Sequence, residues 1–134
     1  MKYLLLIVLF LIQLHADDIV KTKVSVIDTK DKVEWQDNVE AKEEIWKMAS
    51  AYCKQLEIGM NNDWRLPTPK ELQSLSKRKI LKENFKYLEE GVYWSNAIDK
   101  RDEFSAITVY TGNGFISSSD KCEKYFIVCV RDTK

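Results

Sequence analysis

The residues Thr68-Pro69-Lys70-Glu71 constrain the fold of this chain more than any other short segment. A threonine followed by proline, with glutamate three residues after the threonine, is the pattern of a capping box with proline at the first helical position. The segment therefore predicts a helix that begins after Thr68, with Leu72 and Leu75 on its buried face. Residues 76–90 are charged with scattered apolar side chains, which predicts a loop that contains one further helical turn.

Hydrophobic periodicity predicts further elements before this helix. Residues 24–26 and 32–36 are expected to form a hairpin around a turn at 28–31. Asn38 is a suitable N-cap, so the pattern predicts a helix from Asn38 to about Glu57 with one apolar face. That face carries Ile45, Ala49, Tyr52, Cys53 and Leu56.

After Gly91 the pattern changes to that of β-strands. Strands are predicted at 92–95, 104–110 and 115–117, with a turn at 111–114. Residues 125–130 are apolar at every position, which predicts a central strand covered on both sides. Strands towards both ends with helices between them indicate the α+β class.

The first sixteen residues have the composition of an export signal. Lys2 precedes an apolar run from Leu4 to Leu14, and the small residue Ala16 follows. This order is typical of a secretory signal peptide, and the run is shorter than the ~20 residues of a membrane span. We therefore expect a signal peptide at 1–16, a single domain at 17–134 without a membrane span, and a periplasmic or secreted protein. The alternative is an uncleaved N-terminal anchor.

The composition argues against several classes of function. The chain has 21 basic and 21 acidic residues, and no excess of positive charge indicates nucleic acid or an anionic membrane as a partner. The single histidine is His15, within the predicted signal peptide. The remaining chain therefore lacks a Cys/His zinc site and any catalytic triad with a histidine base. We expect no metal, no cofactor and a protein that is not an enzyme.

The chain has three cysteines, Cys53, Cys122 and Cys129. A disulfide is expected in an oxidising compartment, because no reducing system keeps the thiols apart there. Three thiols allow three single pairings, and each pairing leaves one thiol over. The residues alone leave the choice between these pairings open.

Several segments, taken in order, resemble the Lcl C-terminal domain family, an exported bacterial family of unknown function. The most specific of them is Trp64-Arg65-Leu66-Pro67-Thr68 followed by Glu71-Leu72. The other matching segments are 33–38, 51–53, Leu75, 93–95 and 128–131. The resemblance spans residues 24–132, nearly all of the chain after the predicted signal peptide.

The resemblance implies a C-type-lectin-like fold, with two helices, small antiparallel sheets and long loops. It also implies a disulfide between Cys53 and Cys129, which leaves Cys122 as the odd thiol. The calcium-dependent lectins of this fold use a proline within an acidic or amide tripeptide, and neither Pro67 nor Pro69 stands in one. We therefore expect no calcium-dependent sugar binding of that type.

The Trp64–Thr68 segment is expected to have a structural role. Trp64 and Leu66 would pack beneath the loop, and Arg65 would pair with a carboxylate or with loop carbonyls. Pro67 and Thr68 would fix the entry into the helix. The expected structural set is Trp64, Arg65, Pro67, Thr68 and Glu71.

The expected function is that of a binding or adhesion module for a glycan or an envelope protein. The binding residues are expected in and near the loops between Asp99 and Asp120, where exposed turns often carry recognition. The candidates are Trp94, Asn96, Asp99, Asp102, Tyr110 and Asn113. One alternative is an enzyme related to formylglycine-generating sulfatase-modifying enzymes, with Cys122 as a reactive thiol. Another is a structural protein of the cell envelope.

Overall fold

The computed structural model describes residues 18–133, and the predicted signal peptide at 1–16 lies outside them. The helices are α1 (Trp46–Gln55), α2 (Pro69–Lys77) and α3 (Lys79–Glu83). The strands are β1 (Ile19–Lys21), β2 (Ser25–Asp28), β3 (Val33–Gln36), β4 (Glu43–Glu44), β5 (Val92–Asp99), β6 (Asp102–Tyr110), β7 (Ile116–Asp120), β8 (Tyr125–Phe126) and β9 (Val130–Asp132). The α+β class is confirmed, and the C-type-lectin-like arrangement stays an expectation.

The strands form two sheets. The first has the order β1-β2-β3-β9, so the first and last strands of the described chain share one sheet. The second has the order β4-β8-β5-β6-β7. The predicted hairpin is β2–β3, and the carboxylate of Asp28 accepts hydrogen bonds from the backbone N–H groups of Lys30 and Asp31 in its turn. The strands predicted at 92–95, 104–110 and 115–117 are present as β5, β6 and β7. They pair in that order, and all three are longer than expected.

Two apolar clusters lie on opposite faces of the second sheet, because neighbouring strand residues point to opposite sides. On β5, Tyr93 belongs to the first cluster and Trp94 to the second. The first cluster also holds Val26, Val33, Trp35, Leu72, Leu75, Leu81, Val109, Val128 and Val130. The second also holds Ala49, Cys53, Trp64, Leu66, Ala106, Ile127 and Cys129.

The start of α1 differs from the prediction. The helix begins at Trp46 rather than after Asn38, and its N-cap, Ile45, makes no side-chain capping hydrogen bond. The side-chain oxygen of Asn38 instead accepts a hydrogen bond from the amide of Gln36 at 3.0 Å. Residues 43 and 44 pair with Phe126 and Tyr125 as strand β4. Pairing with a distant segment therefore replaces the first turns of the predicted helix.

The apolar segment 125–130 is covered on both sides, but it is not one strand. Its first two residues form β8 in the second sheet, and Val130 begins β9 in the first. Between them the side chains alternate, with Ile127 and Cys129 in the second cluster and Val128 in the first. The segment is uniformly apolar because it passes from one sheet to the other between the two clusters.

The helix start at Thr68 is confirmed. The hydroxyl of Thr68 accepts a hydrogen bond from the backbone N–H of Glu71 at 3.0 Å, and the Glu71 carboxylate accepts one from the backbone N–H of Thr68 at 2.8 Å. Pro69 occupies the first turn, and Leu72 and Leu75 are fully buried. The further helical turn predicted within 76–90 is α3.

Candidate functional site

The disulfide joins the first helix to the end of the chain. Cys53 on α1 and Cys129, just before β9, form the bond across a separation of 76 residues, and both side chains are fully buried. Cys122 is exposed and free, in the turn that follows β7. Its backbone N–H donates a hydrogen bond to the carboxylate of Asp120 at 2.8 Å. The pairing that the resemblance implies is therefore present, and a buried disulfide fits an exported protein.

The Trp64–Thr68 segment connects the helix α2 to the last strand. Trp64 and Leu66 are buried in the second cluster, and the backbone of Arg65 exchanges two hydrogen bonds with Val130, each 2.8 Å long. The guanidinium of Arg65 donates to both carboxylate oxygens of Glu71 at 2.8 and 2.9 Å, and to Asp132 at 2.8 Å. These contacts join the segment to α2 and to β9.

The same contacts determine the ionisation of Glu71. Burial of Glu71 opposes ionisation, but hydrogen bonds from Arg65 and from the backbone of Thr68 outweigh it, and the pKa of Glu71 is lower than its ordinary value. The paired carboxylate in turn raises the pKa of the Arg65 guanidinium. Both groups are therefore charged wherever the fold is intact at neutral pH.

The structure places the candidate binding residues apart from each other. Asp99 and Asp102 lie at the β5–β6 hairpin, whereas Tyr110 and Asn113 lie at the opposite end of β6. A strand rises about 3.3 Å per residue, so the two ends of β6 are about 26 Å apart. Asn96 is exposed near the middle of β5, and its backbone N–H donates to the carbonyl of Pro67 at 2.8 Å. These residues therefore do not form a single site.

Two of the candidates are occupied by contacts within the fold. The indole ring of Trp94 is fully buried, and its N–H donates to the carbonyl of Glu44 at 2.7 Å. Trp94 is therefore not part of an exposed aromatic surface. The carboxylate of Asp99 accepts hydrogen bonds from the backbone of Arg101 at 2.9 Å and from Ser118 at 2.7 Å, and these bonds lower its pKa.

Hydrogen bonds also shape the turns around the other candidates. Asp102 accepts hydrogen bonds from the backbone of Phe104 and from the hydroxyl of Ser105. Asn113 accepts one from the backbone of Phe115. Each of these side chains stabilises its own turn, which is the common role of Asp and Asn at such positions.

A different surface is concave. An open groove with a free volume of about 700 Å³ lies between α1 and the segment around β4. We call it the α1 groove, and its lining includes Lys42, Glu43, Met48, Tyr52, Gln55 and Ile127. Its volume is within the range of ligand-binding sites in proteins, which is roughly 300–1,000 Å³.

The α1 groove continues into a narrow cleft. The cleft shares Lys42, Tyr52 and Ile127 with the groove, and its other side is formed by Val39 and the loop after α3. Its free volume is about 20 Å³, enough for a single water molecule. The groove is therefore the part that has room for a ligand, and the cleft extends one end of it.

Tyr52 is held in place where the groove and the cleft meet. Its hydroxyl oxygen accepts a hydrogen bond from the amide of Gln36 at 3.0 Å, and Gln36 also accepts one from the backbone of Cys129 at 3.2 Å. The ammonium group of Lys42 lies 5.2 Å from the centre of the Tyr52 ring, within the range of a cation–π interaction. Within residues 18–133 the Tyr52 hydroxyl accepts the bond from Gln36 and donates none to another protein group.

The sequence pattern did not predict this groove, because it predicted a helix where the chain is extended. The helix predicted from Asn38 to about Glu57 includes Lys42 and Glu43 and places Tyr52 on its apolar face. The groove forms because α1 begins only at Trp46, which leaves residues 42–44 extended beside the helix. Met48 of α1 lies outside the predicted apolar face and is half exposed.

No group of three or more His, Cys, Asp or Glu side chains within residues 18–133 is arranged to hold a metal ion. In the same part of the chain, no helix has the length and apolar character needed to span a membrane.

Comparisons with known proteins agree with the resemblance in the sequence. The model of the Lcl C-terminal domain family matches residues 24–131, which include both disulfide cysteines and the whole Trp64–Glu71 segment. No curated protein matches the chain. The family match covers most of the chain, so this protein belongs to the Lcl C-terminal domain family.

Proposed function

We propose that this protein is an exported binding module that recognises a surface glycan through the α1 groove. The observation that carries the proposal is the groove itself, in which Gln36 holds Tyr52 beside the ammonium group of Lys42 and apolar side chains such as Met48 belong to the lining. Lys42 is a hydrogen-bond donor, Glu43 is an acceptor and Gln55 is both. Glycans present hydroxyl groups that need donors and acceptors together, and apolar C–H faces that pack against aromatic and aliphatic side chains.

The rigidity of the groove supports this function. Tyr52 is fixed by Gln36, and Gln36 is fixed by the backbone of Cys129 beside the buried disulfide. A side chain that is already ordered loses less conformational entropy on binding, so more of the contact energy appears as affinity. The groove is therefore expected to bind without large rearrangement of α1.

A protein partner is the second candidate. Val39 at the cleft is 44% exposed, and Met48 at the groove is 50% exposed. Exposed apolar side chains are frequent anchors in protein interfaces. A screen that contains both glycans and envelope proteins separates the two candidates.

Binding without catalysis is part of the proposal. Formylglycine-generating enzymes use a pair of thiols at their site, whereas Cys53 and Cys129 of this chain are joined and fully buried. Cys122 lies in an exposed turn, and the other two cysteines of the described residues are bonded to each other. This arrangement favours a binding role over thiol chemistry.

The test is a binding screen of the protein without residues 1–16, followed by substitutions. Lys42→Ala and Gln55→Ala remove groove contacts, and both residues are exposed, so the fold should tolerate the changes. Each should weaken binding of the ligand found in the screen by about tenfold, the equivalent of one good hydrogen bond. Asn96→Ala on β5 and Asn113→Ala in the β6–β7 turn are the matched controls at exposed positions away from the groove and should leave binding unchanged. Binding that survives both groove substitutions but is lost in a control variant would overturn the proposed site.

A further inference from the structure

A basic segment follows the second helix. Residues 77–86 contain Lys77, Arg78, Lys79, Lys82 and Lys86 and a single acidic residue, Glu83. The chain as a whole has no net charge, so its total charge does not indicate this local excess of positive charge. The position of each cation in the fold decides whether the excess reaches the surface.

One of these cations is neutralised within the fold. Arg78 pairs with the buried carboxylate of Asp28 and with Asp31 at 3.3 Å. Lys77 and Lys79 are exposed. Lys79 lies 3.7 Å from Glu83 in an exposed pair, which stabilises little and exchanges readily. The surface excess therefore comes from the lysines.

The β6–β7 hairpin meets the same region. The amide of Gln73 on α2 donates to the carbonyl of Gly114 at 3.1 Å, and the ammonium of Lys82 donates to the carbonyl of Thr111 at 3.3 Å. Gly114 has a positive φ of 81° and packs against Lys77, so closely that an added Cβ would lie 3.2 Å from Lys77 Cε. The turn of this hairpin is therefore fixed beside the basic segment.

Two large apolar side chains are exposed in this region. Ile80 on α3 is 70% exposed, and Phe115 at the start of the hairpin's second arm is 65% exposed. Ile80 lies between Lys79 and Lys82 along α3, and Phe115 follows the glycine that packs on Lys77. We call the surface made by Lys77, Lys79, Ile80, Lys82 and Phe115 the basic tip.

We propose that the basic tip docks onto an anionic lipid surface. The lysine ammonium groups complement the phosphate groups of anionic lipids, and each lysine near such a surface strengthens binding about fivefold. Ile80 and Phe115 gain by leaving water for the boundary between headgroups and acyl chains. An anionic polysaccharide would use the lysines, but it offers nothing to these two apolar side chains. The carboxylates of Asp31, Glu83 and Glu90 flank the surface, so binding is moderate and sensitive to salt.

The test measures sedimentation of the protein without residues 1–16 with lipid vesicles at low salt. Vesicles of phosphatidylcholine with about 30% phosphatidylglycerol should bind the protein, and vesicles of phosphatidylcholine alone should not. The double variant Lys77→Gln, Lys79→Gln should bind the anionic vesicles about 25-fold more weakly. Lys47→Gln with Lys54→Gln on α1 makes the same change of charge elsewhere and should have no effect. Absence of binding to the anionic vesicles overturns the proposal.

The apolar side chains distinguish lipid from other anions. Ile80→Ser with Phe115→Ser should weaken vesicle binding at least tenfold, whereas Phe104→Ser, which changes an equally exposed phenylalanine at the other end of β6, should leave it unchanged. Thermal unfolding of each variant checks that the fold is intact. If the lysine variant loses vesicle binding and the apolar variant keeps it, the basic tip binds anionic polymers and the lipid proposal is wrong. Binding of the wild type and of both variants to heparin, an anionic polymer, is measured in parallel.

Discussion

The side-chain amide of Gln36 links Tyr52 of the α1 groove to the strand that carries the disulfide. It donates to the tyrosine hydroxyl at 3.0 Å and accepts from the backbone N–H of Cys129 at 3.2 Å. Gln36 is 7% exposed, so water does not replace these bonds when they are lost. The position of the groove tyrosine therefore depends on a buried amide at the end of β3.

The first prediction concerns this amide. Gln36→Met preserves the approximate shape of the side chain but removes its donor and its acceptor, which leaves the N–H of Cys129 unpaired in the interior. We expect a loss of about 1–3 kcal/mol in the free energy of unfolding, measured by urea denaturation. Gln55→Met makes the same change on the exposed side of the groove and should change stability by less than about 0.5 kcal/mol. Equal effects of the two substitutions would contradict the role of Gln36.

The second prediction concerns the disulfide. Replacement of Cys53 and Cys129 by alanine removes a crosslink that closes a separation of 76 residues. On the chain-entropy model the free energy of unfolding falls by about 4–5 kcal/mol, a large part of the 5–15 kcal/mol typical of a domain. Thermal unfolding measures the change, with Cys122→Ala as the control because Cys122 is exposed. A stability loss in the control that matches the double variant would show that the loss does not come from the crosslink.

The third prediction concerns the number of reactive thiols. Cys122 is the free and exposed cysteine among the described residues, so a thiol reagent should label one thiol in the native protein. The other two should react only after reduction of the unfolded chain, because their disulfide is fully buried. Labelling followed by mass measurement gives the count. Three reactive thiols in freshly purified native protein would show that the disulfide is absent. An enzyme with reactive thiols would then again be a candidate function.

The fourth prediction concerns acid sensitivity. The folded protein lowers the pKa of Glu71 below its ordinary value of 4.5, so the unfolded state binds the proton more readily. The stability that ionised Glu71 contributes is therefore complete above about pH 4.5 and is lost as the pH falls through the lower, folded pKa. Glu71→Gln should reduce the dependence of unfolding free energy on pH in this acidic range.

The control for acid sensitivity is Glu40→Gln, which changes an exposed carboxylate. The dependence of its unfolding free energy on pH in the acidic range should be the same as in the wild type. The hydrogen-bonded Asp63 and Asp99 also have lowered pKa values, so the slope should decrease in Glu71→Gln without disappearing. An unchanged slope in Glu71→Gln would contradict the effect of the Arg65 pair.

Local signals in the sequence predicted the elements that depend on local contacts. The capping bonds between Thr68 and Glu71 form within one helical turn, so four residues were enough to predict the start of α2. The β2–β3 hairpin likewise forms between neighbouring segments. The disulfide pairing came from the family resemblance, since three cysteines alone allow three pairings.

Contacts between distant segments account for the differences. Asn38 has the chemistry of an N-cap, but pairing of residues 43 and 44 with Tyr125 and Phe126 starts the helix later. Trp94 has the composition of a binding aromatic, but α1 and the Ile127 segment bury it. The α1 groove depends on the first of these contacts, which places residues 43 and 44 beside the helix. A pattern within one stretch of sequence contains neither contact.

The most direct test of the central claim is an NMR titration of the isotope-labelled protein with the ligand that the binding screen identifies. We predict that the backbone signals of Lys42, Tyr52 and Gln55 shift during the titration, while those of Asn96 and Asn113 remain in place. Shifts confined to Asn96, Asn113 and the adjoining turns, with no change at Tyr52, would contradict recognition through the α1 groove.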